Sequence, residues 1–186
     1  MAMRSDDPNL PHLLVITNAL GELCEHVVFL GGAVVGLLVS DPLAENVRAT
    51  YDVDVMPVDA GVLGFSNRWY AHAVETAQVV ALSDRLSIRL VTAAAFVATK
   101  LEAFVTRGNS GFLSSHDLED VLNVVDGRAE LVEELAAEHP DLRHWVANVF
   151  VGLVDNPAFV NASPGMVSEP ARASVVLQRL RAIASA

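Results

Sequence analysis

Hydrophobic residues recur along the chain at two spacings, and the change of spacing separates predicted helices from predicted strands. An amphipathic first helix that ends near Glu25 is predicted by apolar residues at three- and four-residue steps, namely Leu13, Ile16, Leu20 and Leu23. A β-prone run follows at 26–30, and 33–38 is typical of a small apolar helix. The pair Asp41-Pro42 ends that helix, because proline disfavours helical geometry in the residue before it.

Alternation of apolar and polar residues marks the next segment, residues 49–58. It predicts a strand with Tyr51, Val53 and Val55 on one face and with Asp52 and Asp54 on the other. Two further β-prone runs, 78–82 and 86–91, flank the turn-forming Ser83-Asp84 and predict a hairpin.

The second half of the chain carries helical spacing. Thr92 is expected to cap a helix that reaches Arg107, and Ser114 to cap a helix that Gly127 ends. Three more helices are predicted at 129–138, 141–154 and 172–184, whereas 157–170 reads as a loop. This order predicts the α+β class, with a small mixed β-sheet core in residues 1–91 and a C-terminal helical bundle, 92–186, packed on it as one compact unit.

Composition narrows the picture. With 186 residues, 52% of them hydrophobic, the chain is long enough for one domain with a sizeable core. A formal charge of -11 disfavours a nucleic-acid coat or an anionic-membrane binder. Most of that charge lies in 117–141, whereas 48–107 is neutral overall. The lone Cys24 and the absence of a long apolar run lead us to expect a soluble cytoplasmic protein without a membrane partner.

Candidate chemistry begins with Gly31-Gly32, followed about twenty residues later by Asp52 and Asp54. On a strand, residues i and i+2 project from the same side about 6.6 to 6.8 Å apart, so the two carboxylates suit one hard divalent cation. A glycine pair between a strand and a helix lets backbone N–H groups approach a phosphate. Each half also has a plainer interpretation, because a solvated Asp-x-Asp edge and a simple Gly-Gly turn are both common.

Cationic residues accompany this pair. Arg48 and Thr50 flank it, and Lys100 and Arg107, seven residues apart, share one helix face and are candidates for a triphosphate clamp. Alternatively, Lys100 and Arg107 simply belong to a solvated charged face of the helix. Asp117 lies in the first turn of the next predicted helix, where it either complements the helix dipole or acts catalytically. In that helix we expect three acids to be solvated: Glu119, Asp120 and Asp126.

Four segments together resemble a known family. FLGGAVVGLLVSD, RATYDVDV, ATKLEAFVTRG and SHDLEDVLNVVDGR are similar to the nucleotidyltransferase fold in its AbiEii-like and MenT-like toxin branch. The resemblance covers roughly 27–128 and leaves the C-terminal helices largely outside it. It implies a polymerase-beta-type nucleotidyltransferase core and a toxin paired with a cognate antitoxin. Characterised members of this branch add nucleotides to the acceptor end of transfer RNA.

The resemblance also implies site residues. Gly31 and Gly32 match the glycine turn that holds the nucleoside triphosphate, Asp52 and Asp54 match the pair that binds two Mg²⁺ ions, and Lys100 matches the helical lysine that contacts phosphates. Either of two acids in the Asp-x-x-Asp segment, Asp117 and Asp120, matches a further functional acid. The implied reaction is magnesium-dependent transfer of a nucleotide to RNA, with the 3′ acceptor end of tRNA as the expected acceptor.

One departure from the family pattern bears on this interpretation. Relatives have a long stretch after the Asp-x-Asp, then a second strand that resembles DVMP and supplies a third carboxylate. Here the two elements are fused at 52–57. Two alternatives therefore stay open: a non-catalytic nucleotide- or partner-binding module with a degenerate site, and a transferase that acts on a small molecule or a protein hydroxyl.

Overall fold

A small mixed β-sheet forms the framework of the first half of the chain. The computed structural model describes residues 6–44, 47–59, 67–107 and 111–186. Within them the sheet has four strands in the order β2-β1-β4-β3. The strands are β1 (Val27–Leu30), β2 (Asp54–Pro57), β3 (Gln78–Ala81) and β4 (Ser87–Leu90). The predicted hairpin is confirmed, because β3 and β4 pair antiparallel.

The pairing of β1 with both neighbours decides where the functional residues gather. β2 runs antiparallel to β1, with Leu30 opposite Asp54. β4 runs parallel to β1, with Val28 opposite Arg89. The carboxyl ends of β1 and β4 and the start of β2 therefore lie at the same end of the sheet. The hairpin turn between β3 and β4, which contains Asp84, lies at the opposite end.

Helices make up most of the described chain. They are α1 (Leu10–Leu20), α2 (Val35–Leu38), α3 (Tyr70–Glu75), α4 (Ala93–Thr106), α5 (His116–Gly127), α6 (Leu131–Ala136), α7 (Pro140–Val154), α8 (Pro157–Ala162) and α9 (Ala173–Ala184). Single 3₁₀ turns join several of them. Thr92 caps α4 as predicted, since its hydroxyl accepts a hydrogen bond from the backbone N–H of Ala95 at 3.3 Å.

Helix α4 is the centre of the core. Phe96, Val97 and Leu101 are fully buried, and α4 packs against α3, α5, α6 and α7. Helix α9 packs in turn on α5 and α7, so the C-terminal helices extend the core that α4 and α5 begin. The α+β class with a small mixed sheet is therefore confirmed. In the described part of the chain, no helix combines the length and apolarity needed to cross a bilayer.

Three local predictions are wrong. The strand predicted at 49–58 is shorter, because β1 ends at Leu30, opposite Asp54, and gives residues 49–53 no pairing partner. Helix α5 is capped by Ser115, whose side chain accepts from Leu118 N at 3.2 Å, and not by Ser114. The predicted loop at 157–170 contains α8, which Asn156 caps through Ala158 N at 2.9 Å.

Arg172 ties the C-terminal helices to the rest of the fold. Its Nε lies 2.8 Å from Asp126 Oδ1, and its Nη2 lies 2.9 Å from Asp41 Oδ2. Asp126 is buried, with 8% of its surface exposed, so the expectation that it is solvated is wrong. Its charge is tolerated in the interior because a guanidinium compensates it.

Candidate functional site

The glycine turn after β1 lies against the carboxylate of Asp54. Gly31 has φ +79° and ψ -173°, a conformation that side-chain-bearing residues rarely adopt. A Cβ added to Gly31 would lie 1.9 Å from Asp54 Oδ2. The cause is the register of the sheet, which places Asp54 opposite Leu30, the residue before the glycine. The pairing therefore holds a carboxylate against bare backbone, and no larger residue fits.

Gly32 faces the other side of the same site. A Cβ added there would meet Thr50 Cγ2 at 3.0 Å, Asp120 Oδ2 at 3.4 Å and Arg48 Nη2 at 3.9 Å. The segment before β2 and helix α5 thus both approach the turn. The two glycines, Arg48, Thr50, Asp54 and Asp120, all predicted site residues, come together at one end of the sheet.

Lys100 joins this group from α4. Its side chain is 16% exposed, and its ammonium lies 2.8 Å from Asp120 Oδ2 and 3.2 Å from Asp117 Oδ1. Arg107, just beyond the end of α4, donates from Nη1 to Asp117 Oδ2 at 2.7 Å. Because α4 packs on α5, Lys100 and Arg107 both reach the acids of the first two turns of α5. Lys100 and Arg107 thus contact the same carboxylate, although Arg107 lies just outside the helix that was predicted to carry both.

Arg48 approaches the same acids from the segment before β2. Its Nη2 lies 3.9 Å from Asp120 Oδ1, and its Nε lies 3.6 Å from Glu119 Oε2. Asp120 is only 3% exposed, so the expectation that it is solvated is wrong. Lys100 and Arg48 compensate its charge from two sides, which is how an ionised group is accommodated in an interior. Glu119 is about one third exposed and forms the rim of the network.

Asp52 does not occupy the strand position that the sequence predicted for it. It lies before β2 and is exposed, and its backbone carbonyl accepts a hydrogen bond from Thr50 Oγ1 at 3.0 Å. The prediction that Asp52 and Asp54 project from one face of a strand is therefore wrong, because only Asp54 belongs to the strand. The charge of Asp52 nevertheless helps to raise the pKa of Asp54.

Electrostatics distinguish the groups of the site. The pKa of Asp54 is raised above its usual range, chiefly by partial desolvation against the turn and further by Asp52, although its side chain keeps access to solvent. Burial raises the pKa of Asp120, and nearby Lys100 only partly offsets this. Burial alone would lower the pKa of Lys100, but Asp120 and Asp117 outweigh burial and raise it. Lys100 therefore stays protonated at neutral pH.

The charges suit a divalent cation bound together with a phosphate group. Five carboxylates (Asp52, Asp54, Asp117, Glu119, Asp120) face three cationic side chains (Arg48, Lys100, Arg107), which leaves an excess of negative charge. No three acidic, histidine or cysteine side chains within the described ranges are already grouped around one metal position. Mg²⁺ is usually held by one or two carboxylates together with substrate phosphates and water. Asp54 with Asp52 fits that pattern of donors.

Sequence reasoning overlooked one residue that touches this region. Asn9, which precedes α1, is 1% exposed and binds the backbone of both Arg48 and Thr50. No local spacing indicates this contact, because about forty residues separate Asn9 from its partners. The one available signal was a polar residue at the start of an apolar helix, which ordinarily indicates a cap.

Comparisons with known proteins give no further guide. No family model, curated protein or solved structure matches the chain.

Proposed function

We propose that this protein is a magnesium-dependent nucleotidyltransferase that transfers a nucleotide from a nucleoside triphosphate to RNA. The acceptor we favour is the 3′ end of transfer RNA, and the biological role is that of a toxin that blocks translation and is paired with an antitoxin. The RNA acceptor and the toxin role rest on the resemblance of the segments around Gly31, Asp54, Lys100 and Asp117. The triphosphate chemistry rests on the arrangement of the site.

The single observation that carries the proposal is the approach of Asp54 to Gly31. A carboxylate held against a side-chain-free turn brings a cation ligand next to backbone that a phosphate can also reach. A fold that required only a tight turn would gain nothing by placing an acid with a raised pKa there. In this arrangement Asp54 would hold a divalent cation, which would supply positive charge to a phosphate at the glycine turn.

The remaining groups have distinct parts in this proposal. Asp54 and Asp52 hold magnesium, which when bound offsets the negative charge of the phosphates. Gly31 and Gly32 let the triphosphate lie close to the backbone. Lys100 and Arg107 neutralise the charge that develops as the nucleotidyl group moves to an acceptor oxygen and pyrophosphate leaves.

Lys100 and Arg107 already form ion pairs with carboxylates of α5, so a triphosphate has to compete with these carboxylates to bind. Lys100 contacts Asp117 and Asp120, and Arg107 contacts Asp117. A triphosphate therefore has to replace Asp117 around Arg107, the most exposed cation of the group at 74%. Lys100, which is buried, is better placed to keep its partners and contribute its charge at short range.

A transfer assay tests the proposal. The protein is incubated with Mg²⁺, each of four labelled nucleoside triphosphates and total RNA, and label in RNA is measured. We expect transfer by the wild type and loss of transfer in Asp54→Asn. The matched control is Asp84→Asn, because Asp84 is an exposed aspartate at the opposite end of the sheet. Absence of transfer in the wild type, or equal transfer in Asp54→Asn, would sink the proposal.

A non-catalytic nucleotide-binding module is the second candidate. Two observations favour it. Lys100 already forms ion pairs with two carboxylates of α5. In the described part of the sheet, β2 is an edge strand and no further acidic strand lies beside it. It predicts binding of magnesium and triphosphate by calorimetry together with a silent transfer assay. A panel of small-molecule and protein acceptors separates it from a transferase that uses a different acceptor.

A further inference from the structure

The segment before α1 buries two polar residues, Asp7 and Asn9, with 5% and 1% of their surfaces exposed. Burial of a polar side chain costs free energy unless its hydrogen bonds are replaced. Asn9 stands at the N-cap position of α1, yet its side chain makes no capping hydrogen bond. The side-chain amide of Asn9 therefore does not cap α1.

The side-chain amide of Asn9 instead binds the segment before β2. Asn9 Nδ2 donates to the carbonyl of Arg48 at 3.0 Å, and the backbone N–H of Thr50 donates to Asn9 Oδ1 at 2.8 Å. One side-chain amide thus satisfies a carbonyl and an N–H on either side of Ala49, as a neighbouring strand would. Asn9 is itself held by Asp7, whose Oδ1 accepts from the backbone N–H of Asn9 at 2.9 Å.

The clamped segment needs such support. Residues 47–53 form neither helix nor strand, so ladder hydrogen bonds do not fix their backbone. Thr50 and Arg48 nevertheless reach Gly32 and Asp120 within the candidate site. The position of these two side chains follows from the backbone that Asn9 holds.

We infer that Asn9 is a positioning residue for nucleotide binding, which it supports by fixing Arg48 and Thr50 beside the glycine turn. The inference rests on the proposed function and adds to it an N-terminal strap, defined as Asp7 and Asn9, that organises the site. Asn9 acts through Arg48 and Thr50. The side chain has to be an amide, since only an amide offers both a donor and an acceptor in this geometry.

A matched pair of variants tests the role. Asn67 is also a buried asparagine, and its amide makes the same two kinds of bond, to the carbonyl of Thr99 at 2.8 Å and from the N–H of Trp69 at 3.0 Å. Asn9→Ala and Asn67→Ala therefore remove equivalent hydrogen bonds and should cost similar stability. Of these two side chains, only Asn9 binds the backbone of Arg48 and Thr50.

The readouts are the Kd of magnesium–ATP by calorimetry, KM and kcat for transfer, and hydrogen exchange at the Thr50 amide. In Asn9→Ala we expect Kd and KM to rise about tenfold, since a displacement of about 1 Å in a binding group can cost up to 10²-fold. We expect a smaller change in kcat and faster exchange at Thr50. Asn67→Ala should leave Kd and the Thr50 exchange near wild-type values.

Unchanged affinity in Asn9→Ala, or an equal loss in Asn67→Ala, would overturn the inference. If Asn9→Ala does not fold, Asn9→Ser replaces it, because serine keeps a small polar side chain but is too short to bind the backbone of both Arg48 and Thr50, and the same shifts are expected. A wild type that binds no magnesium–triphosphate defeats the proposed function and this inference with it. A wild type that binds, with Asn9 variants that bind equally well, defeats this inference alone.

Discussion

Replacing Gly31 with alanine tests the close approach on which the site depends. The new Cβ would lie 1.9 Å from Asp54 Oδ2 and 2.8 Å from Asp54 Cβ, so the strand or the turn has to move. The substitution also places a side chain at φ +79° and ψ -173°, which costs about 1–3 kcal/mol. Overpacking adds about 1–3 kcal/mol. We expect Gly31→Ala to lower the free energy of unfolding by about 3 kcal/mol.

Gly152→Ala is the control. Gly152 lies within α7, and a Cβ added there meets nothing within 4 Å. Alanine is favoured over glycine inside a helix by about 0.5–1 kcal/mol, so this variant should be slightly more stable than wild type. The same glycine-to-alanine change is thus expected to have opposite signs at the two positions.

Urea unfolding followed by the fluorescence of Trp69 and Trp145 measures both effects. Adding Asp54→Ala to Gly31→Ala should recover part of the loss, because it removes the carboxylate and leaves the backbone strain at residue 31. A Gly31→Ala protein as stable as wild type would refute the reasoning. It would mean that Asp54 does not lie on the turn.

Three further perturbations have definite expected outcomes. Asp117→Asn should tighten magnesium–ATP binding by about tenfold in calorimetry, because it removes the carboxylate that competes with phosphate for Arg107; weaker binding would contradict this. Arg172→Ala should lower the unfolding free energy by about 3 kcal/mol in urea melts, since buried Asp126 loses its partner, with ATP affinity unchanged. Because the folded-state pKa of Lys100 is raised, its stabilising contribution should persist below about pH 10.5 and vanish as pH rises through the folded-state value. The stability difference between wild type and Lys100→Met should therefore shrink at alkaline pH, and a constant difference would argue against the ion pairs.

Local sequence patterns predicted those features of the fold that local physics decides. The hairpin of β3 and β4 follows from two β-prone runs around Ser83-Asp84, and the start of α4 follows from the capping hydroxyl of Thr92. The alternation at 49–58 was misleading because a strand also needs a partner. Tyr51 fits the alternating pattern but is fully exposed, since β1 has already turned at Gly31.

Charged residues were harder to predict than apolar ones. Glycine and aspartate spacing predicted that Gly31 and Asp54 belong together, and the structure does place them side by side. The burial of Asp120 depends on how α4 packs against α5, and the burial of Asp126 depends on Arg172, 46 residues away. A helix-face argument treats such acids as solvated, because it has no information on distant cations. Long-range compensation of charge is therefore what the sequence pattern could not supply.

The most direct test of the central claim is transfer of label from magnesium–nucleoside triphosphate to RNA by the wild type, Asp54→Asn and Asp84→Asn, side by side. The account predicts transfer by the wild type and by Asp84→Asn and none by Asp54→Asn, whose neutral amide lacks the negative charge with which a carboxylate binds magnesium. Transfer that survives in Asp54→Asn at the wild-type rate would contradict it.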